Sequence, residues 1–355
     1  MQEDTATCTE VSAPQQCAEE IGLRYVSDAG KGISRERTGE TFTYRDGKGA
    51  LITDEKTLAR IKSLRIPPAW QQVWICPSAK GHLQATGIDA KARKQYIYHP
   101  DWSKARCENK FDKMYDFGKV LPKIRKEVEK DLKIKKLNRD KVLATVVGLL
   151  DHTLIRIGNK AYEKANKSFG LTTLKDRHMK ALGKKVVFEF VGKKGVKQCI
   201  EVTDSKLAAI VKKCRDIPGY PLFQYFDEAG NRQAIQSEDV NSYLKTITGH
   251  EITAKDFRTW GASSFAVKLL ETLEVPDTQK DLKTNINTVV KSVAGKLGNT
   301  VSVCKKHYLH PIVVEAYTNN HISKLLQKYP RIHLSGSKLL NREEKIFMKI
   351  LEQLK

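Results

Sequence analysis

Apolar positions change their period along the chain. From about Leu23 to Trp102, β-branched and aromatic residues come in short runs broken by Gly, Pro and Asp. Examples are Gly39-Glu-Thr-Phe-Thr-Tyr-Arg-Asp-Gly-Lys-Gly49, Val73-Trp-Ile-Cys76 and Gln95-Tyr-Ile-Tyr98. Short alternation bounded by turn residues predicts strands of a small sheet domain. After Trp102 the period lengthens: Phe111, Met114, Tyr115, Phe117 and Leu121 recur at helical steps, and after a basic link the pattern resumes from Val142 to Ile157. One stretch returns to a period of two. Lys185–Val191 alternates, Gly192-Lys-Lys-Gly195 reads as a turn, and Val196–Val202 alternates again, so the spacing predicts a β-hairpin. Thr253-Ala-Lys-Asp256 has the form of a capping box and opens a helix running through Phe257 to about Thr272. The expected fold is α+β: a small β-sheet domain over 21–102 and a larger, mostly α-helical domain over 103–355. Residues 1–20 are polar and acidic and are expected to lack stable structure.

Charge sharpens the picture. The 355 residues include 63 Lys and Arg against 41 Asp and Glu, a formal net charge of +22. Residues 1–20 carry Glu3, Asp4, Glu10, Glu19 and Glu20 with no base, a net of −5, so the remainder sums to +27. A surplus of this kind points to a polyanion, because neutralising phosphates releases condensed counterions. A lysine-rich solvated surface is the plainer alternative.

Other classes are disfavoured. Val142–Leu150, the longest near-apolar stretch, is too short to span a bilayer. Met1–Glu20 has no base and no apolar run, which argues against a secretory signal peptide. The seven cysteines are odd in number and form no C-x-x-C, so buried thiols in a reducing compartment are the simpler expectation. Neither a phosphate-binding glycine loop nor a zinc-protease motif occurs.

Five positions could carry chemistry: Arg156, Lys193, Arg258, Asn299 and Tyr308. Each has a structural reading of its own. Arg156, in Leu154-Ile-Arg-Ile-Gly-Asn159, reads as a cation in an apolar helical run whose partner is an internal carboxylate. Arg258, near the N-terminus of the helix expected after Thr253, could form a surface or interhelical ion pair. Lys193 would be solvated at a hairpin tip, Asn299 would serve as a turn or cap residue after Gly298, and Tyr308 would pack. Taken together on a basic protein, they suit transesterification of a phosphodiester. A phenol can attack phosphorus, guanidiniums can hold nonbridging oxygens in a bidentate fork, an amide adds a preorganised donor, and a lysine can protonate the departing sugar oxygen.

Spaced blocks along residues 21–320 resemble the type IB DNA topoisomerases, in particular their compact poxvirus and bacterial branch. They include Arg24-Tyr-Val-Ser-Asp-Ala-Gly-Lys-Gly32, Ile66-Pro-Pro-Ala-Trp70, Gln84-Ala-Thr-Gly-Ile-Asp-Ala-Lys-Ala-Arg-Lys-Gln-Tyr-Ile-Tyr98, Ile155-Arg-Ile-Gly-Asn159 and Phe169-Gly-Leu-Thr-Thr-Leu174. Phe190-Val-Gly-Lys193, Lys255-Asp-Phe-Arg-Thr-Trp-Gly261 and Leu297-Gly-Asn-Thr300 through Tyr308 complete the set. The resemblance implies a catalytic domain of the tyrosine-recombinase-like fold with the lysine on its β-hairpin. It makes Tyr308 the nucleophile of a 3′-phosphotyrosyl link, Arg156 and Arg258 the phosphate clamps, and Lys193 the general acid. Asn299 stands where poxvirus enzymes have histidine; bacterial members resemble this sequence in using asparagine. Gln95, Tyr96 and Tyr98 match the family's DNA-facing segment, with Lys91, Arg93 and Lys94 in a basic loop before them. Tyr96 and Tyr98 could instead pack a core together, since they share a strand face.

The implied function is relaxation of supercoils of either sign, without ATP, metal or other cofactor, by a monomer clamped on double-stranded DNA. The implied location is the cytoplasm, on the nucleoid if the source is bacterial. Two rivals stand beside it. A tyrosine recombinase would share fold and chemistry, but Lys255-Asp-Phe-Arg-Thr-Trp-Gly261 lacks the His-x-Leu-Arg-His context of recombinases. An architectural DNA-binding protein would need none of the five residues for chemistry.

Overall fold

Strand and helix boundaries follow local chemistry closely. The structure, a computed structural model, describes residues 13–273, 276, 278–329 and 340–353. Two compact units emerge, Met1–Lys110 and Phe111–Lys355.

The first unit is built on an antiparallel sheet. Helix α1 (Ala13–Glu20) precedes β1 (Ile33–Thr38) and β2 (Thr41–Arg45); α2 (Glu55–Ser63), β3 (Gln71–Ile75), β4 (Leu83–Ile88) and β5 (Lys94–Tyr98) follow. The strand order is β2-β1-β3-β4-β5. Ile33, Val73, Ile75 and Ala85 bury one face of the sheet against Ile61 of α2. Helix α2 was not anticipated among the predicted strands. It is opened by Asp54, whose carboxylate accepts from the Thr57 N–H at 2.8 Å. Residues 13–20, expected to be unstructured, instead form α1. Ala18 is fully buried and packs with Leu23 and Trp102, and that apolar anchor outweighs the acidic composition. Residues 1–12 of the acidic segment lie outside the described residues. The sequence texture changes at Trp102, yet the units divide at Lys110, because Trp102 in the first turns of α3 (Pro100–Leu132) still belongs to the first unit's packing.

The second unit is organised around α4 (Arg139–Thr153). Every residue from Lys141 to Leu150 is buried, as expected of a helix apolar all round. Burying each large aliphatic side chain contributes about 1.5–3 kcal/mol, so α4 is the energetic centre of this unit. Around it come α5 (Lys160–Asn166), β6 (Met179–Leu182), β7 (Lys185–Val191), β8 (Lys197–Val202), α6 (Ser205–Arg215), β9 (Gln224–Phe226), β10 (Arg232–Ala234) and α7 (Ser237–Thr248). They continue with α8 (Ala254–Glu271), α9 (Gln279–Leu297), α10 (Val301–His307), α11 (Pro311–Thr318), α12 (His321–Lys328) and α13 (Arg342–Glu352).

The predicted hairpin is present as β7 and β8, with Phe190 opposite Gln198. Val186, Phe188 and Phe190 point inward at a period of two. The short edge strand β6 extends the hairpin to three strands. Helix α8 starts where the capping box predicted: the Asp256 carboxylate accepts from the Thr253 N–H at 2.8 Å. No helix among the described residues is long and apolar enough to cross a membrane.

Candidate active site

Arg156 does not lie on a helix. Helix α4 ends at Thr153 because Leu154 adopts the left-handed conformation (φ 57°), which throws Ile155-Arg156-Ile157 into an extended path. That path is pinned by Leu171 N–H donating to the Arg156 carbonyl at 2.9 Å and Thr172 N–H to the Ile157 carbonyl at 2.7 Å. Gly170 is required at this crossing, since a Cβ there would sit 2.5 Å from the Arg156 oxygen. The Arg156 guanidinium donates through Nη2 to Oδ1 of Asn299.

Asn299 is fixed by the end of α9. Gly298 takes the left-handed C-cap position (φ 59°), and the Asn299 N–H returns to the Ala294 carbonyl at 2.9 Å. With Oδ1 engaged by Arg156, its buried Nδ2 has no partner among the described residues.

Arg258 lies on α8 and is 4% exposed. Its Nη1 donates to the Leu154 carbonyl and its Nη2 to the Leu297 carbonyl, the latter at 2.9 Å. These bonds tie the end of α4 to the end of α9. Its Nε is buried without a partner among the described residues. Burial pulls its pKa down to about 10, which still leaves it charged near neutrality. No carboxylate pairs with Arg156 or Arg258 among the described residues, so the internal ion pairs that were the plainer reading of both are not formed. A buried cation left this way is costly unless an anion arrives.

Tyr308 closes α10, its N–H bonding the Cys304 carbonyl at 2.9 Å. Ser263 of α8 holds this backbone in place: its hydroxyl donates to the Thr259 carbonyl at 3.0 Å, accepts from the His310 N–H at 3.0 Å and lies 3.4 Å from the Tyr308 carbonyl. The Arg258 guanidinium carbon lies 5.0 Å from the centre of the Tyr308 ring. Burial opposes the phenolate, but the charges of Arg258, Arg156 and Lys255 outweigh it and hold the phenol below its ordinary pKa. Lys255 was not among the candidates. Its signal was available, since it sits three residues before Arg258 on a predicted helix. Cys304 is fully buried, and burial pushes its thiol up to about 11, which makes it inert.

Four of the five candidates therefore converge. Lys193 stands apart at the exposed turn between β7 and β8, where Lys194 and Gly195 both have positive φ (65° and 79°). Its side chain makes no hydrogen bond or ion pair among the described residues. The turn's base is closer: Gly192 and Gln198 line a cavity of about 10 Å³ together with Arg156 and Arg258. Two larger cavities, about 840 and 850 Å³, contain none of the five residues. The site is a small, partly buried cationic pocket with too little enclosed space for a small molecule.

In the first unit, β5 settles which way the tyrosines face. Ile97 packs against the core, while Tyr96 and Tyr98 are 48% and 44% exposed on the opposite face, with ring centres 6.0 Å apart and nearly parallel. They do not form a core pair. Tyr25, missed in the sequence, joins this aromatic surface by stacking on His82 at 4.2 Å, and His82 reaches Tyr98 at 6.2 Å. The polar candidates here are already engaged. Asp89 accepts from Arg93 (2.6 Å) and from Gln95 (2.9 Å), and Asp28 pairs with Lys94 at 2.5 Å. Lys91 is exposed and forms no ion pair among the described residues.

Known proteins with similar sequences decide the family. Residues 99–333 match the family model described as the catalytic core of eukaryotic DNA topoisomerase I, and residues 41–89 match that of the N-terminal domain of bacterial DNA topoisomerase IB. DNA topoisomerase 1B of Acanthamoeba polyphaga mimivirus is 33% identical over 297 residues, covering 82% of this chain and 88% of that protein. The chain belongs to the type IB DNA topoisomerase family. DNA topoisomerase 1B of Vaccinia virus (strain Western Reserve) is 24% identical over 305 residues, covering 82% of this chain and 92% of the viral protein. DNA topoisomerase 1 of Candida albicans is 26% identical over 60% of this chain and 27% of its own length. These similarities favour a topoisomerase over a recombinase or an architectural protein.

Proposed function

We infer that this protein is a type IB DNA topoisomerase in which Tyr308 nicks one strand of duplex DNA and later reseals it. The phenol oxygen of Tyr308 attacks the scissile phosphorus as its proton passes to solvent. A tyrosyl ester forms to the 3′ side, the P–O5′ bond breaks, and the 5′ oxygen takes a proton from Lys193. Arg156 and Arg258 grip the nonbridging oxygens, and the Asn299 amide donates to the same phosphate. The free 5′ end swivels, supercoils of either sign relax, and the reverse attack restores the phosphodiester. One phosphoester is exchanged for another, so the cycle draws on no ATP and on no metal.

The observation that carries this reading is the convergence of Arg156, Arg258 and Asn299 around a half-buried tyrosine, with Arg258 Nε and Asn299 Nδ2 unpartnered among the described residues. Such donors suit a phosphoryl group whose charge grows during attack. The outward face of β5, with Lys94, Tyr96 and Tyr98, and the loop before it, with Lys91 and Arg93 and with Gln95 joined to it through Asp89, serve as a second DNA contact, through phosphate neutralisation and aromatic contact with sugars or bases. A single chain acting as a monomer holds the broken duplex between cleavage and religation. Relaxation of negatively supercoiled plasmid in EDTA without nucleotide tests the assignment. Wild type relaxes the plasmid and Tyr308→Phe does not; relaxation by both would move the nucleophile elsewhere.

A further inference from the structure

Gln198 lies at a junction that the reaction as described does not use. It stands on β8 opposite Phe190, and its side chain is wedged between two glycines. A Cβ on Gly192 would come 3.2 Å from Gln198 Cγ, and a Cβ on Gly298 would come 2.5 Å from its Nε2. Gly192 precedes Lys193, and Gly298 precedes Asn299. One half-buried side chain thus touches the backbone leading into the turn lysine and the backbone leading into the phosphate-facing amide.

The two glycines differ in an informative way. Gly298 has a left-handed backbone (φ 59°), which alone favours glycine. Gly192 has φ −88°, a conformation open to any residue. A side chain at 192 would be tight against Gln198, which would have to give way by a few tenths of an ångström. The same amide lines the small cavity that contains Arg156 and Arg258. The hairpin's closing bond, Gly192 N–H to the Val196 carbonyl at 2.8 Å, fixes the turn internally but does not place it against α9.

We propose that Gln198 is a positioning residue that seats the lysine-bearing turn against the end of α9, so that Lys193 reaches the 5′ oxygen held by the arginines and Asn299. This rests on the assignment of Lys193 as the proton donor. Gln198 acts through Lys193 and not on the phosphate. Its removal therefore impairs leaving-group protonation while phosphate gripping and attack by Tyr308 survive.

That separation is measurable. Replacing the scissile 5′ oxygen by sulfur gives a leaving group that departs as a thiolate and needs no proton. With the full-length protein in single-turnover cleavage of an ordinary duplex, Gln198→Ala should be slower by on the order of 10- to 100-fold, the scale of a misplaced catalytic group. DNA affinity should stay within about two-fold, and cleavage of the sulfur-linked duplex should match wild type to within about two-fold, since the affected step is gone. An equal deficit on both linkages would overturn the proposal by placing Gln198 on the phosphate side or in the fold; so would no deficit on either. Lys193→Ala run in parallel keeps the two assignments apart. If sulfur fails to rescue Lys193→Ala, the assignment of Lys193 falls and this proposal with it; if it rescues Lys193→Ala but not Gln198→Ala, only the proposal falls. Gly192→Ala supplies a second route. Its methyl should displace Gln198 and slow oxygen-linked cleavage, and Gly192→Ala with Gln198→Ala should be no slower than Gln198→Ala alone. Fully additive losses would contradict the wedge.

Discussion

The pocket around Tyr308 and the exposed face of β5 are both cationic, yet they handle charge in opposite ways. In the pocket, Arg156 and Arg258 spend their hydrogen bonds on Asn299 and on the carbonyls of Leu154 and Leu297, with no carboxylate among the described residues to neutralise them. At β5 and the loop before it, Arg93 and Lys94 are each matched to an aspartate, and Asp89 also holds the Gln95 amide. Uncompensated buried charge stores a field that only an incoming anion relieves, which suits a transition state. Exposed, compensated charge changes little when an anion arrives, and the paired aspartates offset part of the positive charge there.

The sharpest way to break this contrast is Arg258→Gln. Losing a preorganised donor to a developing oxyanion should slow strand cleavage by on the order of 100- to 1000-fold in single turnover, with duplex affinity much less affected. Equal losses in both would reduce Arg258 to a phosphate contact. A smaller effect is expected at Lys255, which only adds to the field. Arg258, Arg156 and Lys255 hold the Tyr308 phenol below its ordinary pKa. Where cleavage rises with pH because the phenolate forms, removing a cation should raise that pKa. Lys255→Ala should therefore move the rising limb to higher pH and slow cleavage several-fold at neutral pH, leaving the plateau intact. A limb that stays in place would show that Lys255 does not act on Tyr308. The smallest effect is expected at Asp89. Asp89→Asn removes one negative charge from the β5 face and should tighten binding to random-sequence duplex by roughly two- to five-fold at low salt. Weaker binding would mean that orienting Arg93 and Gln95 matters more there than charge.

Much of this could be read from the sequence, and the failures have physical causes. The β7–β8 hairpin and the start of α8 were legible because alternation, turn glycines and a capping box are local signals. The end of α4 was not. Leu154, Ile155 and Ile157 continue the apolar pattern, and the break is a left-handed leucine with no glycine until Gly158. Helix α1 was hidden because its few burying contacts, around Ala18, are small beside its charge. Each site residue was identifiable only in company. That Arg156 meets Asn299, and that Arg258 pairs with no carboxylate among the described residues, depends on where the ends of α4 and α9 meet α8, which no spacing encodes. The outward face of Tyr96 and Tyr98 was likewise set by Ile97 turning to the core, a choice two-residue alternation leaves open.

The most direct test of the central claim is to trap the covalent complex. A duplex labelled in turn at each side of the nick is quenched with detergent during cleavage, and the labelled peptide is mapped. The account predicts the label from the 3′-phosphate side on the peptide containing Tyr308, and no adduct with Tyr308→Phe. Label from the 5′ side, or on a peptide without Tyr308, would contradict it.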